Sequence, residues 1–404
     1  MVTYWGHCAD FYERVGLRCV DLRPRSDTAC LAMMLTLLRD FRPDVTVCDW
    51  RLDMWLAQRA VAVGCSVAIL RCEQFIGYKR RSPFLPDKFG LGRPLQSNSP
   101  ENAFLRLFRC DTVSDRRMLY RTSIVVVPSV PQLDPPPPDM KQDYPVSTFV
   151  YTGPLLLDCY PVPPTTAVPW ATEQKRLSRP IALITTGTAW GRELLITLAQ
   201  HMHKADFSCM MLAPDRDTSV QLEAYANPYL FVLREARLSN ILPLCDIVIH
   251  HAGHGTAQAV VLSGKPSITV TSYEYDREDN ALRLQELGCG VHLGDDFYRH
   301  GMSIEYLGHV VRRVAGDERI AAATRGLAKE IAAAVEGRGA REVIRLVEEH
   351  LSSPKRRRRR LVFQPQCRRP FYTSQLLPMV SIYRHALLTR LARAWMRWTR
   401  RNTS

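Results

Sequence analysis

Residues 245–266 read CDIVIHHAGHGTAQAVVLSGKP, and this stretch decides the fold. The apolar run DIVI is a strand buried on both faces. TAQAVVLSG has helical spacing and a glycine stop, and KPSITVTS is a second strand. Strand, tight turn, short helix and strand make one βαβ unit with parallel strands. The turn HHAGHGT is polar where a core would take Leu or Val. Gly253 and Gly255 let the backbone approach a ligand closely. The helix start presents unpaired N–H groups and the positive end of the helix dipole. His251 stands at the rim, and Thr256 either caps the helix or donates its hydroxyl. The turn therefore suits an anion, phosphate above all. A plain strand-to-helix turn with a threonine cap and no ligand uses the same residues, and the pattern alone leaves both readings open.

The same alternation extends in both directions. Upstream, RCVDLRP, DVTVCDW, CSVAILR and TSIVVVPS read as strands, with helices in TACLAMMLTLLRDFRPD and RLDMWLAQRAVAVG. A second series starts at PIALITTGT, whose strand ends in Gly187 and Thr188, and runs to the helices DERIAAATRGLAKEIAAAV and AREVIRLVEEHL. Between them, residues 128–180 hold 13 of the 27 prolines. Helices are not expected there, since proline removes a backbone donor and clashes with the preceding turn. One ordered island, STFVYTGPLLL, is expected inside it. The expected class is α/β, with two Rossmann-like domains on parallel sheets and a basic C-terminal helical tail. Residues 1–145 form the first domain, 146–352 the second and 353–404 the tail. Ligands of such sheets bind beyond the carboxyl ends of the strands.

Charge separates body from tail. The chain has 54 Lys and Arg against 40 Asp and Glu, a net charge of +14. The residues after Pro354 hold 14 of the basic residues and no acid, so the body is balanced at 40 against 40. The body thus lacks the basic footprint of a nucleic-acid binder. The twelve cysteines form no C-x-x-C pair or zinc-spaced cluster, which fits reduced thiols in the cytoplasm. No apolar run reaches the about 20 residues of a membrane-spanning helix. The opening MVTYWGHCADFYERVG is not expected to be a secretory signal.

The segment from CDIVIHHAGHGT through GKPSITVTSYEYDREDNALRLQELGCGVHL resembles the donor-binding region of GT-B glycosyltransferases of the UDP-glycosyltransferase kind. The bacterial macrolide and antibiotic enzymes are the nearest type. The shared pattern is an acidic residue, an apolar strand, His-x-Gly-x-Gly-Thr, a Gly-x-Pro strand, an Asp-Gln pair, and Asn-Ala on a helix ending in Gly. The resemblance spreads over most of residues 30–350, with YTGPLL and ITTGT included. It implies that His251 meets the donor diphosphate and that Gly253, Gly255 and Thr256 bind it. Gly187 and Thr188 would flank the same phosphates. Asp276 would contact the donor sugar, and Asn280 would shape that loop. The donor would be a nucleotide-diphosphate sugar, UDP- or dTDP-linked, with no cofactor. The leaving diphosphate gains negative charge, which fixed N–H groups and a histidine stabilise. A metal is then not required for that stabilisation.

Several positions depart from the family's pattern. Arg277 replaces the glutamine after Asp276; an arginine can only donate hydrogen bonds. Either the donor sugar differs, carrying for instance a carboxylate, or this is a surface loop that has drifted. Ala259 stands where many plant members have a ribose-holding glutamate. Near Glu235 the family often has a base-stacking aromatic, and VLREARLSNIL has none. The family's first strand, Gly-His turn and long helix have no counterpart here, and with them goes the histidine that serves as base. Asp49, at the end of DVTVCDW, matches that histidine's acidic partner, and it equally suits a helix N-cap. A start upstream of Met1 is the expected explanation.

In the tail, KRRRRR at 355–360 precedes a helical pattern after Pro378. Val380, Tyr383, Leu387, Leu391, Trp395 and Trp398 share one face; Arg390, Arg393, Arg397 and Arg400 share another. A basic amphipathic helix with tryptophans on its apolar side suits an anionic membrane surface, here through residues 355–401. Packing on the body and a solvated arm are the alternatives, and nucleic acid ranks last. The expected function is a cytoplasmic, hexosyltransferase-type glycosyltransferase, peripheral at the inner face of a membrane. It would move a sugar with inversion to the hydroxyl of a small-molecule or lipid-like acceptor. The alternative is a non-catalytic nucleotide-sugar-binding or scaffold relative held at a membrane by its tail.

Overall fold

A computed structural model describes residues 2–4, 19–21, 27–48, 65–69, 99, 102–103, 106, 124–135, 148–155, 167–187, 192–234, 236–271, 275–294, 303–336 and 339–352. Asp49, Thr188, the expected helix at 51–64 and the tail at 353–404 lie outside the described residues.

The first unit begins with a parallel pair, β1 (Val2–Tyr4) and β2 (Cys19–Asp21). Helix α1 (Asp27–Phe41) follows and stops where Pro43 requires it to, with Arg42 turned to a left-handed φ of 46°. Strands β3 (Val45–Cys48), β4 (Cys65–Ile69), β5 (Ile124–Val127) and β6 (Thr148–Tyr151) then form a parallel sheet in that order. Strand β6 comes from the ordered island. The sequence division puts it with the second unit, but it hydrogen-bonds to β5 and so extends the first sheet.

Helix α2 (Ala167–Arg176) corrects the expectation that no helix runs through the proline-rich stretch. Pro169 is the third residue of α2, where the missing N–H has no helical partner to lose. Trp170 and Gln174 anchor it, both donating to the Pro228 carbonyl at 3.0 and 3.1 Å.

The second unit is built from β7 (Ile181–Thr185), α3 (Arg192–His201), β8 (Ser208–Leu212), α4 (Arg216–Glu223), β9 (Leu230–Leu233), α5 (Leu238–Ile241), β10 (Ile247–His250), α6 (His254–Leu262), β11 (Ser267–Thr269), α7 (Tyr275–Glu286) and β12 (Gly290–His292). Its six strands are all parallel, in the order β12-β11-β10-β7-β8-β9. Renumbered from β7, this is the 3-2-1-4-5-6 order of dinucleotide-binding sheets. All of β7 and β10 is buried, as expected of central strands covered on both faces. Asp246 ties their starts together: its carboxylate accepts from Ile181 N–H at 2.8 Å, and its own N–H donates to the Ile181 carbonyl.

Among the described residues three further helices follow: α8 (Ile304–Ala315), α9 (Glu318–Val335) and α10 (Ala340–Ser352). The sequence reading passed over α8, although its signals are present. Ser303 caps it, and Ile304, Leu307, Val310, Val311 and Val314 recur at helical spacing and are buried. Helix α10 leaves the second unit. Its Val343, Leu346 and Val347 pack against Ile124 and Val126 of β5. No helix of the described residues is long and apolar enough to cross a membrane.

Candidate functional site

The strand order reverses between β7 and β10, so the connections from these neighbours leave on opposite faces and open a crevice at their carboxyl ends. The residues there are polar. In register across four strands lie Thr185, His250, Thr269 and His292. A row of this kind at the end of an otherwise apolar sheet marks the edge where a polar ligand can be met.

His250 is a structural member of that row. Its Nδ1 accepts the Ala252 N–H at 3.1 Å, so the hydrogen sits on Nε2, 3.2 Å from Ser267 Oγ on β11. Burial, aided by neighbouring His251, pushes its pKa down to about 3. His250 is thus neutral and holds the turn to the next strand. Ala252 is fully buried in the left-handed region at φ 59°. Its N–H goes to His250 and its carbonyl accepts from Asn280 Nδ2 at 2.9 Å, which fixes the turn from both sides.

His251 occupies a slot between two glycines. A Cβ on Gly187 would come 2.6 Å from its Cε1, and one on Gly253 would come 2.4 Å from its Nε2. Neither position admits another residue while the ring stays in place. Gly187 also has φ 69°, which disfavours any side chain there. The sequence reading gave these glycines to the ligand; the first use of both is to make room for the histidine. Gly255 differs. A Cβ there would meet nothing within 4 Å, so no contact inside the protein demands glycine.

Helix α6 starts at His254, with Gly253 as N-cap and no side-chain cap. Thr256 is the third residue inside the helix and so is not its cap, which corrects that one of its two expected roles. The first ladder bond runs from Ala257 N–H to the Gly253 carbonyl at 2.9 Å, so the N–H groups of residues 254–256 precede the ladder. Thr186, at the end of β7, has a buried hydroxyl with no hydrogen-bond partner. Such a group costs about 1–3 kcal/mol unless it finds one.

Helix α7 begins at Tyr275. Asp276 and Arg277 therefore belong to its first turn. Arg277 is 8 % exposed, which overturns the reading of it as a drifted surface loop. Asn280 is on the same helix and shapes the turn at 250–253 by its bond to Ala252. The structure thus brings together Gly187, His251, Gly253, Gly255, Thr256 and Asn280, with Arg277 one turn away on α7.

Sequence reasoning missed the contact between this site and the first unit. Gln258 Nε2 donates to the Pro128 carbonyl at 2.8 Å and lies 2.9 Å from His254 Nε2. His254 Nδ1 is 3.8 Å from Asp134 Oδ2, and Arg283 donates twice to the Gln132 carbonyl at 2.8 and 2.6 Å. The segment following β5 is therefore held directly behind the 250–256 turn. The signal was faint: a Gln four residues after a His on one helix face.

Comparisons with known proteins bear on the fold and the resemblance. The family model described as erythromycin biosynthesis protein CIII-like, C-terminal domain, matches residues 232–349. Aclacinomycin-T 2-deoxy-L-fucose transferase of Streptomyces galilaeus is 38% identical over 58 residues, which are 14% of this chain and 13% of that protein. Aklavinone 7-beta-L-rhodosaminyltransferase of the same organism is 36% identical over 89 residues, 22% of this chain and 19% of that one. The chain thus aligns with less than a fifth of the length of either relative. The crystal structure of CalG4, the calicheamicin glycosyltransferase, superposes with a TM-score of 0.61 at 17% identity, covering 85% of this chain and 88% of that one. At that identity the likeness establishes the fold. The two-domain GT-B architecture and the resemblance to UDP-glycosyltransferase-like antibiotic enzymes are both borne out.

Proposed function

We propose that this UDP-glycosyltransferase-like chain of GT-B fold is a hexosyltransferase-type enzyme that moves a sugar from a nucleoside-diphosphate sugar to an acceptor hydroxyl with inversion. The observation that carries the reading is His251, fixed between Gly187 and Gly253 beside the uncapped start of α6 at the switch point of the sheet. The acceptor oxygen attacks the anomeric carbon opposite the diphosphate. The bond from that carbon to the diphosphate oxygen breaks, and the acceptor proton passes to a base. Charge gathers on the departing diphosphate. There the N–H groups of residues 254–256, the helix dipole and His251 stabilise it, with little reorganisation. Gly255 leaves the backbone open to that approach, and Thr188 would flank the phosphates. Asp276 and Arg277 would meet the sugar; Arg277 suits an acidic or acceptor-rich sugar, since it only donates. Asp49 is proposed as the acidic partner of the base.

Calorimetric titration with UDP and dTDP tests the cradle, and a panel of UDP- and dTDP-sugars with a hydroxyl acceptor, read by nucleoside diphosphate release, tests the transfer. Binding by the unaltered protein that survives His251→Ala unchanged would remove His251 from the site. Binding without turnover for any donor would favour the second reading, a non-catalytic nucleotide-sugar binder. A small-molecule or lipid-like acceptor and a cytoplasmic location belong to the same proposal. So does attachment of residues 355–401 to anionic membrane, which predicts that truncation after Leu351 abolishes cosedimentation with vesicles containing phosphatidylserine.

A further inference from the structure

Helix α7 carries a buried acid that the proposed mechanism does not use. Glu278 is 9 % exposed, and both of its carboxylate oxygens are engaged. Oε2 accepts from the Thr271 hydroxyl at 2.6 Å, and Oε1 lies 3.1 Å from His292 Nε2. A carboxylate accepts only, so His292 Nε2 carries a hydrogen. The other face of that ring is fixed as well: Nδ1 lies 3.1 Å from Thr269 Oγ1 and 3.2 Å from the Thr269 carbonyl. The His292 N–H in turn donates to Gln285 Oε1 at 2.9 Å, back on α7. The His292 bond holds the Glu278 carboxyl below its ordinary range; burial opposes this and the Thr271 bond adds to it.

The placement of this network gives it meaning. Thr271 lies just beyond β11 and Glu278 in the first turns of α7, so their bond ties the end of β11 to the start of α7. That helix start carries Asp276 and Arg277. The tie to His292 fixes the same carboxylate to β12, and Asn280 ties the next turn to Ala252 independently. The two ties divide the work: Asn280 serves the phosphate turn, and Glu278 serves the start of α7.

We propose that Glu278, with Thr271 and His292, is a positioning residue that sets where Asp276 and Arg277 meet the donor sugar. This rests on the reading of residues 250–256 as the donor cradle. It makes the sugar contribution to binding separable from the nucleotide contribution.

The test uses the full chain and two pairs of probes, UDP with UDP-glucose and dTDP with dTDP-glucose, titrated by calorimetry. Thr271→Val and Glu278→Ala should leave nucleoside diphosphate affinity within about twofold. Loss of one hydrogen bond of ordinary strength should shift the affinity ratio of sugar nucleotide to free diphosphate by about fivefold. Thr271→Ser, which keeps the hydroxyl, should restore the unaltered ratio. Thermal unfolding identifies any variant that is not folded; Thr271→Val, the milder change, keeps the test open if Glu278→Ala fails. A purely structural staple would lower both affinities together and leave the ratio unchanged, which overturns the inference. Absence of diphosphate binding by the unaltered protein overturns the donor-cradle reading and this inference with it. Binding with unchanged ratios overturns this inference alone.

Discussion

Adding one methyl group at Gly253 tests the slot around His251. The Cβ of Gly253→Ala would lie 2.4 Å from Nε2, 3.0 Å from Cε1 and 3.3 Å from Cδ2, so a whole ring edge must move. Carbon atoms rest at about 3.5–4.0 Å, so the ring has to retreat by about an ångström. Gly187 lies against the same Cε1–Nε2 edge, where a Cβ would come within 2.6 Å of Cε1. Overpacking of this kind costs about 1–3 kcal/mol, to be read by chemical or thermal unfolding. If the displaced ring loses a charge-assisted bond to the diphosphate, about 1.5–3 kcal/mol of binding goes with it, or about 10- to 150-fold in affinity for UDP by calorimetry. The decisive measurement is the double-mutant cycle with His251→Ala. Without the ring the three atoms nearest the new methyl are gone, and Gly253→Ala should become neutral to within about 0.5 kcal/mol in stability. Affinity in the double variant should match His251→Ala alone. Additive losses in stability and binding would refute the slot. Gly187→Ala is the contrast: its φ of 69° adds a backbone cost of about 1–2 kcal/mol that should persist in the His251→Ala background.

Stability should fall as pH drops below about 6.5. His250 titrates near 3 in the folded chain, so the unfolded chain binds one more proton between those values. The slope from this group approaches about 1.4 kcal/mol per pH unit, and His250→Asn should flatten it in unfolding curves taken at several pH values. Glu278 acts lower on the scale: its depressed pKa adds stability above the ordinary carboxylate range that is lost as pH falls through the folded value. Ala252→Gly should stabilise the protein by up to about 1 kcal/mol, because relief of the left-handed strain outweighs the added freedom of the unfolded chain. An unchanged or lower melting temperature would argue that the Ala252 methyl contributes packing of equal size. Gln258→Ala and Arg283→Ala each remove donors to carbonyls of the segment that follows β5. Amide hydrogen exchange at residues 128–134 should rise in both, and unchanged protection would show that Val130 packing alone holds the segment.

Much of the second unit was legible because its signals are local. Near-continuous apolar strands, glycine stops and a repeated strand-helix spacing suffice for parallel β7 to β12 and for the switch point. The proline count misled at α2, since density of proline says nothing about position: Pro169 sits in the first turn, where a helix tolerates it. Helix α8 went unread despite its cap and apolar spacing. At the site, the glycines and the start of α6 were readable as a place for an anion. Their service to His251 was not, because it depends on a ring and two glycines 64 and 2 residues from it meeting in space.

The sequence by itself determined the α/β class, the basic tail and the polar turn at 250–256, since each follows from periodicity, composition or one short run of residues. Tertiary structure decided which polar residue does what. His250 turns inward to Ser267 and becomes a neutral strut; His251 enters the slot; His254 faces the first unit. Three histidines within five positions are alike in sequence. Burial, a neighbour's hydroxyl and the missing Cβ atoms of two glycines tell them apart, and these come from strands and loops far along the chain.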